Sequence, residues 1–308
     1  MRILLGMPSN GSIHPDAATA FHHPVGPDSP HEVRVKKTRG PEVLMNHNSL
    51  WADALDDYEA GNTDAFALLH SDVAADPGWL DILANELGDA DVISAVIPIK
   101  NASGLTSTAV DDTGEPYLAR RLVMKEIAAL PKTFSDAEVG GPILLNTGMW
   151  LVKLGPWCLK TNPDGTTPFV FEFKHWIRRG DRGRKRDARQ AGFWPDDWNL
   201  SRRFREAGLK QRATSAVKLI HYDGPFQAYP NFIEPYGWDT DIQNGPKAPW
   251  RIARSRGFEL DADLAGVKAR TPDGEIRTIR TGRIEGADSM LDFEDGTTAP
   301  MIECTAVA

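Results

Sequence analysis

Ala65-Phe66-Ala67-Leu68-Leu69-His70-Ser71-Asp72 is the stretch that decides the fold. Five consecutive apolar residues with no polar alternation read as a strand buried on both faces, and such strands belong to parallel sheets covered by helices. The run stops on polar residues. Asp76-Pro77 then supplies a capping acid and a first-turn proline for a helix over Trp79 to Leu87. Outward from this unit, Arg2 to Met7 is a second apolar run, stopped by Pro8, Asn10 and Gly11. His31 to Lys37 alternates as a strand does. From Val43 to Tyr58, the residues Leu44, Trp51, Leu55 and Tyr58 recur at roughly helical spacing until Gly61, and Asp91 to Pro98 is a further buried strand. Strands alternating with helices predict an α/β domain built on a parallel sheet.

Past residue 100 the pattern is mixed. Asp112-Thr113-Gly114-Glu115 reads as a turn, and Pro142 to Leu154 as two short strands around Asn146-Thr147-Gly148. Asp196-Asp197 caps a helix carrying Trp198, Leu200 and Phe204, which Gly208 ends, and one strand runs from Ala213 to His221. From about Phe258, the triplets Pro272-Asp273-Gly274 and Glu294-Asp295-Gly296 are hairpin turns of a small β appendage. The expected division is therefore residues 1–255, with a basic insertion at about 174–189, followed by residues 256–308.

Composition narrows the function classes. With 41% hydrophobic residues, 9 Trp, 12 Phe and 5 Tyr in 308 residues, the chain is not globally disordered. No apolar run approaches the roughly 20 residues of a membrane span. The opening apolar run, Met1 to Pro8, is too short for a signal peptide, and Cys158 and Cys304 have no metal-type spacing, so two free thiols in the cytoplasm are expected. A net charge of −8 argues against indiscriminate coating of nucleic acid. The charge is uneven, however. Between Lys174 and Arg189 eight basic residues face two acidic ones, giving +6 there and −14 elsewhere.

Three places could carry chemistry. Asp72 follows an apolar strand, where ligands of open α/β sheets sit, and a carboxylate there can hold a hard cation against phosphate oxygens. His221, in Leu219-Ile220-His221-Tyr222-Asp223-Gly224, also follows a strand, and a neutral imidazole suits manganese. Asp196 and Asp197 open a helix, where one can cap and the other can take a proton from an acceptor hydroxyl. Taken singly, Asp72 is also compatible with a plain loop acid and His221 with a satisfied polar residue at a strand end.

Taken in order, these segments resemble the GT-A glycosyltransferases, specifically the family-2-like enzymes common in bacteriophages and bacteria, over Met1 to about Gly224. Gly6-Met7-Pro8-Ser9-Asn10-Gly11-Ser12-Ile13-His14-Pro15 looks like that group's first strand and nucleotide-contacting loop. Asn46-His47-Asn48-Ser49-Leu50 lies where members carry an Arg-Asn pair, and His70-Ser71-Asp72 lies at the D-x-D position. Asn146-Thr147-Gly148-Met149 resembles the strand near the donor sugar, Asp196-Asp197-Trp198-Asn199-Leu200-Ser201-Arg202-Arg203 the acid-Asp motif with its basic pair, and Ala216 to Gly224 the terminal strand with its histidine. His70 and His47 depart from the usual Asp and Arg.

The resemblance implies a mixed sheet flanked by helices and a Mn2+ or Mg2+ ion on Asp72, His221 and His70. The implied donor is a nucleotide diphosphate sugar, with uridine as the expected nucleoside, held by Pro8, Ser9, Asn10, Asn48, Ser71, Asn146 and Gly148. It implies an inverting displacement with Asp197 as base beside Asp196, acting with the ordinary carboxylate pKa near 4. The basic segment lies where such enzymes shape the acceptor site. Arg182, Arg184, Lys185 and Arg186, with Trp198 and the neighbouring aromatics, suit phosphates and an extruded base, which makes a hydroxymethylated pyrimidine in phage DNA one candidate acceptor beside a glycan, lipid or protein. The same segment could instead be a basic loop closing on the nucleotide's own phosphates. Rival readings are a nucleotide-sugar hydrolase or nucleotidyltransferase, and a non-catalytic module binding a nucleotide sugar or DNA. No obligate protein partner is inferred.

Overall fold

A computed structural model describes residues 1–100, 104–111, 119–182, 185–223, 227–232, 268–285, 288–300 and 304–306. By internal contacts the chain forms two units, residues 1–174 with 193–236, and residues 175–192 with 237–308. The expected boundary near residue 255 and the Asp112–Glu115 turn lie outside the described residues.

The first unit opens with β1 (Arg2–Ser9), α1 (Pro15–His22), β2 (Glu32–Arg39), α2 (Val43–Glu59), β3 (Ala65–Leu69), β4 (Val73–Ala75), α3 (Trp79–Leu87) and β5 (Val92–Ala95). It continues through β6 (Leu105–Val110), β7 (Arg120–Val123), α4 (Met124–Ala128), β8 (Thr133–Phe134), α5 (Asp136–Val139), β9 (Ile143–Leu144) and β10 (Met149–Lys153). After β11 (Lys174–Arg182) and β12 (Lys185–Trp194) come α6 (Asp196–Glu206), β13 (Gln211–Thr214), β14 (Leu219–Asp223) and β15 (Gln227–Pro230).

A seven-stranded sheet runs in the order β2-β1-β3-β10-β5-β13-β8. β1 is parallel to both β2 and β3, β10 is antiparallel to both β3 and β5, and β13 is parallel to β5. The fold is thus a mixed α/β sheet flanked by helices. β3 is buried at every position, as its unbroken apolar run requires. On one face Ile3, Leu5, Met7, Leu69 and Ile93 pack with Phe21 of α1 and Trp79 and Leu83 of α3. On the other an aromatic chain joins α2 to α6 across the sheet. Trp51 meets Phe66 at 5.4 Å, Phe66 meets Trp150 at 6.2 Å, and Trp150 stacks on Phe204 at 5.8 Å between ring centres. This chain fixes the helix that begins with Asp196 and Asp197.

Two expectations are corrected. Ala213 to His221 is not one strand, because β13 belongs to the large sheet and β14 to a separate three-stranded sheet, β15-β14-β4. Buried Asn231 explains the break: it accepts from the Leu219 amide at 3.0 Å and donates to the Val217 carbonyl at 2.9 Å, groups a continuous ladder would use. Helix α3 is preceded by Gly78 at φ +85°, with no side-chain cap, so Asp76 does not cap it. Helix α1, opened by Pro15, was unforeseen; only Ala17, Ala20 and Phe21 of its residues are buried, too few to show a periodicity.

In the second unit β16 (Lys268–Arg270), β17 (Ile276–Glu285), β18 (Asp288–Phe293), β19 (Thr298–Pro300) and β20 (Thr305–Ala306) form a five-stranded sheet ordered β19-β18-β17-β16-β20. Gly274 at φ +88° and Gly296 at φ +84° take the left-handed turn positions that the two Asp-Gly pairs predicted. The expected β appendage is therefore present. No helix among the described residues is long and apolar enough to cross a membrane.

Candidate functional site

The chain passes from β1 outward to β2 and then back across β1 to β3, so the strand order reverses at the β1/β3 pair. Helical crossovers that leave in opposite directions open a crevice at the carboxyl ends of such strands, where open sheets bind ligands. A cleft of about 140 Å³ lies there. The residues after β1 (Pro8, Ser9, Asn10) form one wall, and those after β3 (His70, Ser71, Asp72) form the other. Asn46 and His47 of α2 close the back, so six of the residues expected at the site share one cleft. Its volume is below the roughly 300 Å³ of a whole drug-sized ligand and matches a phosphate group or one ring.

Short side chains shape the first wall. Ser9 Oγ accepts from the Gly11 amide at 2.9 Å, and Asn10 Oδ1 accepts from the Ser12 amide at 3.2 Å. Asn46 donates to the carbonyls of Ser9 (3.0 Å) and Gly40 (2.9 Å), tying α2 to the ends of β1 and β2. The Arg39 side chain lies 3.1 Å from where a Cβ on Gly11 would stand. It has no ion-pair partner among the described residues.

At the back, His47 Nε2 and His70 Nε2 are 3.1 Å apart, one donating and the other accepting. Burial, and then the neighbouring His70, push His47 down to about 3. His70 is lowered too, chiefly by burial, with Asp72 opposing and His221 and Lys100 assisting. Both rings are neutral at physiological pH. The other ring nitrogen of His47, Nδ1, is buried without a hydrogen-bond partner and lies 3.7 Å from Asp196 Oδ2. The histidine pair therefore spans from the cleft wall to the first carboxylate of α6.

On the opposite side Asp72 Oδ2 receives the Lys100 ammonium at 2.5 Å and faces His221 Nε2 at 3.7 Å. Burial would raise the Asp72 carboxyl, but His221, His70 and Lys100 outweigh it and hold the group well below the usual carboxylate range. His221 Nδ1–H donates to the Pro98 carbonyl at 2.7 Å, which fixes the ring. Tyr222 stacks on His14 at 3.5 Å between ring centres and donates to Asp16 at 2.5 Å, locking β14 against the start of α1.

The expected metal trio does not assemble. His70 Nε2 is committed to His47, the oxygen shared by Asp72 and His221 carries a lysine, and among the described residues no three His, Cys, Asp or Glu side chains form a group suited to a metal ion. A Mn2+ or Mg2+ site needs its oxygen and nitrogen ligands together within about 2.0–2.3 Å of one point. Asp72 Oδ2 and His221 Nε2, 3.7 Å apart, stand at the separation of two ligands on one ion, but His70 is committed to His47 and Lys100 holds the same Asp72 oxygen, so the expected trio is not formed, and no step of the proposed reaction runs through a metal ion.

The two α6 carboxylates differ in setting. Asp197 Oδ1 accepts from the Trp198 amide at 2.8 Å. Burial, then the adjacent Asp196, push Asp197 up to about 8, against the pull of the Trp198 amide and Arg121. Asp196 is raised as well, chiefly by burial. The expectation of an ordinary pKa near 4 is thus corrected: the pair holds a proton at neutral pH. Neither acid caps α6, whose cap position is Pro195.

Four expected donor and acceptor groups have other duties. Asn48 donates to the Phe171 carbonyl and accepts from the Phe171 amide, both at 2.9 Å, acting as a strand edge for that segment. Buried Asn146 donates to the Ala95 carbonyl at 2.9 Å and accepts from the Gly148 amide at 3.1 Å. The Gly148 carbonyl takes the His70 amide at 2.8 Å, and a Cβ on Gly148 would stand 2.7 Å from Ile97 Cδ1, so this turn is there to seat His70. Trp198 is not the open stacking platform expected. It is 4% exposed, its indole N–H donates to the Ser107 carbonyl at 2.9 Å, and Arg121 lies 4.5 Å over its ring.

The basic segment forms a two-stranded sheet of β11 and β12 rather than a loop. Arg182 ends β11, Lys185 and Arg186 begin β12, and Arg184 lies outside the described residues. Residues that sequence reasoning missed are Lys100, Arg39 and the pairing of His47 with His70. Only the departures at His47 and His70 were visible signals.

The sequence matches no family model and no curated protein. Among solved structures the chain is similar to the crystal structure of A197 from STIV, with 16% identity and a TM-score of 0.44 over 75% of this chain and 91% of that one.

Proposed function

We propose that the chain is a GT-A-type glycosyltransferase that moves a sugar from a nucleotide diphosphate donor, with uridine as the favoured nucleoside, to an acceptor hydroxyl with inversion. The observation that carries this reading is the 3.7 Å approach of Asp196 to His47: a carboxylate from late in the chain reaches the back of the cleft at the β1/β3 switch point. Donor phosphates at the carboxyl ends of β1 and β3 would leave the anomeric carbon pointing toward α6. The acceptor oxygen attacks that carbon, the bond to the diphosphate breaks, and the acceptor proton passes to a carboxylate.

We assign that proton to Asp196, because Asp197 is held by the Trp198 amide while Asp196 faces the histidine pair. Burial raises the basicity of Asp196, and burial together with Asp196 pushes the neighbouring Asp197 up to about 8. The acceptor we favour is a hydroxymethylated base in DNA. A two-stranded ribbon fits the major groove, and the segment between Lys174 and Arg189 carries +6.

The test is a panel of nucleotide sugars with and without hydroxymethylated DNA, following release of nucleoside diphosphate. Acceptor-dependent release that falls at least about 10²-fold in Asp196→Asn, with donor affinity kept, supports the assignment. Release that does not depend on any acceptor would make the protein a hydrolase. Failure of every nucleotide sugar to bind would end the reading.

A further inference from the structure

We infer that Lys100, held on Asp72, and Arg39, across the cleft beside Gly11, are the cations that neutralise the donor's diphosphate, in place of a divalent metal. This rests on the donor reading above and goes beyond it, since neither residue belongs to any motif in the sequence.

A diphosphate entering the cleft meets the Asp72 carboxylate, which alone would repel it. The Lys100 ammonium removes that repulsion. It carries three N–H donors, of which Asp72 Oδ2 takes one at 2.5 Å, leaving two for phosphate oxygens. Its side chain is 34% exposed, so the head is reachable from solvent without leaving Asp72. The backbone before Lys100 is anchored: Ile99 donates to the Leu105 carbonyl at 2.9 Å, and the Pro98 carbonyl accepts from His221 at 2.7 Å. Asp72 is then a positioning residue for Lys100. Behind the other wall, Arg39 pairs in register with the wall residue Ser9 at the carboxyl end of the parallel β1–β2 ladder. Its guanidinium lies against Gly11, exposed and with no ion-pair partner among the described residues. An arginine so placed presents a fork of donors that matches phosphate geometry. Together the two cations supply the charge that the unassembled metal trio does not.

The experiment is titration calorimetry of the full chain with inorganic pyrophosphate and with uridine diphosphate, each in excess EDTA and in excess MnCl2. The expected result is binding in EDTA that manganese does not strengthen. Affinity should fall at least about tenfold in Lys100→Gln and in Arg39→Gln, and be kept in Lys100→Arg. Thermal melts of each variant separate a binding defect from a folding defect. Binding that requires manganese, and that Lys100→Gln strengthens by freeing Asp72, overturns the inference while leaving the donor reading intact. Absence of binding in both buffers overturns the inference and the donor reading together. Binding of pyrophosphate in EDTA without turnover of any nucleotide sugar upholds the clamp and removes glycosyl transfer.

Discussion

Replacing Asp197 with Asn should reduce the loss of stability on raising the pH. In the folded chain the Asp197 carboxyl is pushed up to about 8, against an ordinary value of 3.8. Between those values the unfolded chain gives up this proton while the folded chain keeps it. The folded state then binds more protons, so stability falls as pH rises, by up to about 1.4 kcal/mol per pH unit. The contribution is fully present below pH 3.8 and lost as pH passes through about 8. One proton over two pH units, from 5 to 7, is about 3 kcal/mol at most. Asp196, raised in the same direction by burial, adds to the slope, and Arg121 moderates it. Asparagine has nearly the same shape, can accept from the Trp198 amide, and never ionises. Thermal melts of parent and Asp197→Asn at pH 5, 6, 7 and 8 should therefore converge at the acid end. They should diverge upward for the variant by several degrees at pH 8, taking about 2–4 °C per kcal/mol for a unit of this size. Parallel curves with one constant gap would refute the buried, raised carboxyl, and with it the proton sharing assigned to the α6 pair.

Two other outcomes test the reassigned residues. Asn48→Ala leaves the amide and carbonyl of Phe171 without the partners they have at 2.9 Å and should cost about 1–3 kcal/mol in stability, with nucleotide affinity unchanged in a binding titration; a selective loss of affinity would return Asn48 to the donor site. For the basic ribbon, replacing Arg182, Arg184, Lys185 and Arg186 with Gln should flatten the plot of log affinity for DNA against log salt by about 0.9 for each phosphate no longer neutralised, and an unchanged slope would place DNA elsewhere.

Much of the scaffold was legible in the chain. A strand buried on both faces must be apolar throughout, so β1, β3 and β5 announce themselves, and the change of period at Val43 and at Trp198 marks α2 and α6. Asp-Gly pairs at residues 273–274 and 295–296 placed the turns of the second unit for the same local reason, since glycine alone takes φ near +85° without strain. These signals are short-range, and each is written in neighbouring residues. The break between β13 and β14 was not legible because it depends on Asn231, which reaches back to Val217 and Leu219 from beyond both strands.

The site divides along the same line. Motif order alone was enough to nominate Pro8, Ser9, Asn10, His70, Ser71 and Asp72, which the fold gathers into one cleft. Tertiary structure decided the rest. It set His47 against His70 and Lys100 on Asp72, pairs 23 and 28 residues apart in the chain, and it committed Asn48, Asn146 and Trp198 to backbone hydrogen bonds. It also moved Asp197 from an ordinary carboxylate to one that titrates near 8. Residue type determines which charges and donors a chain possesses. Their distances and dehydration, which set pKa and partner, exist only once distant segments are packed together.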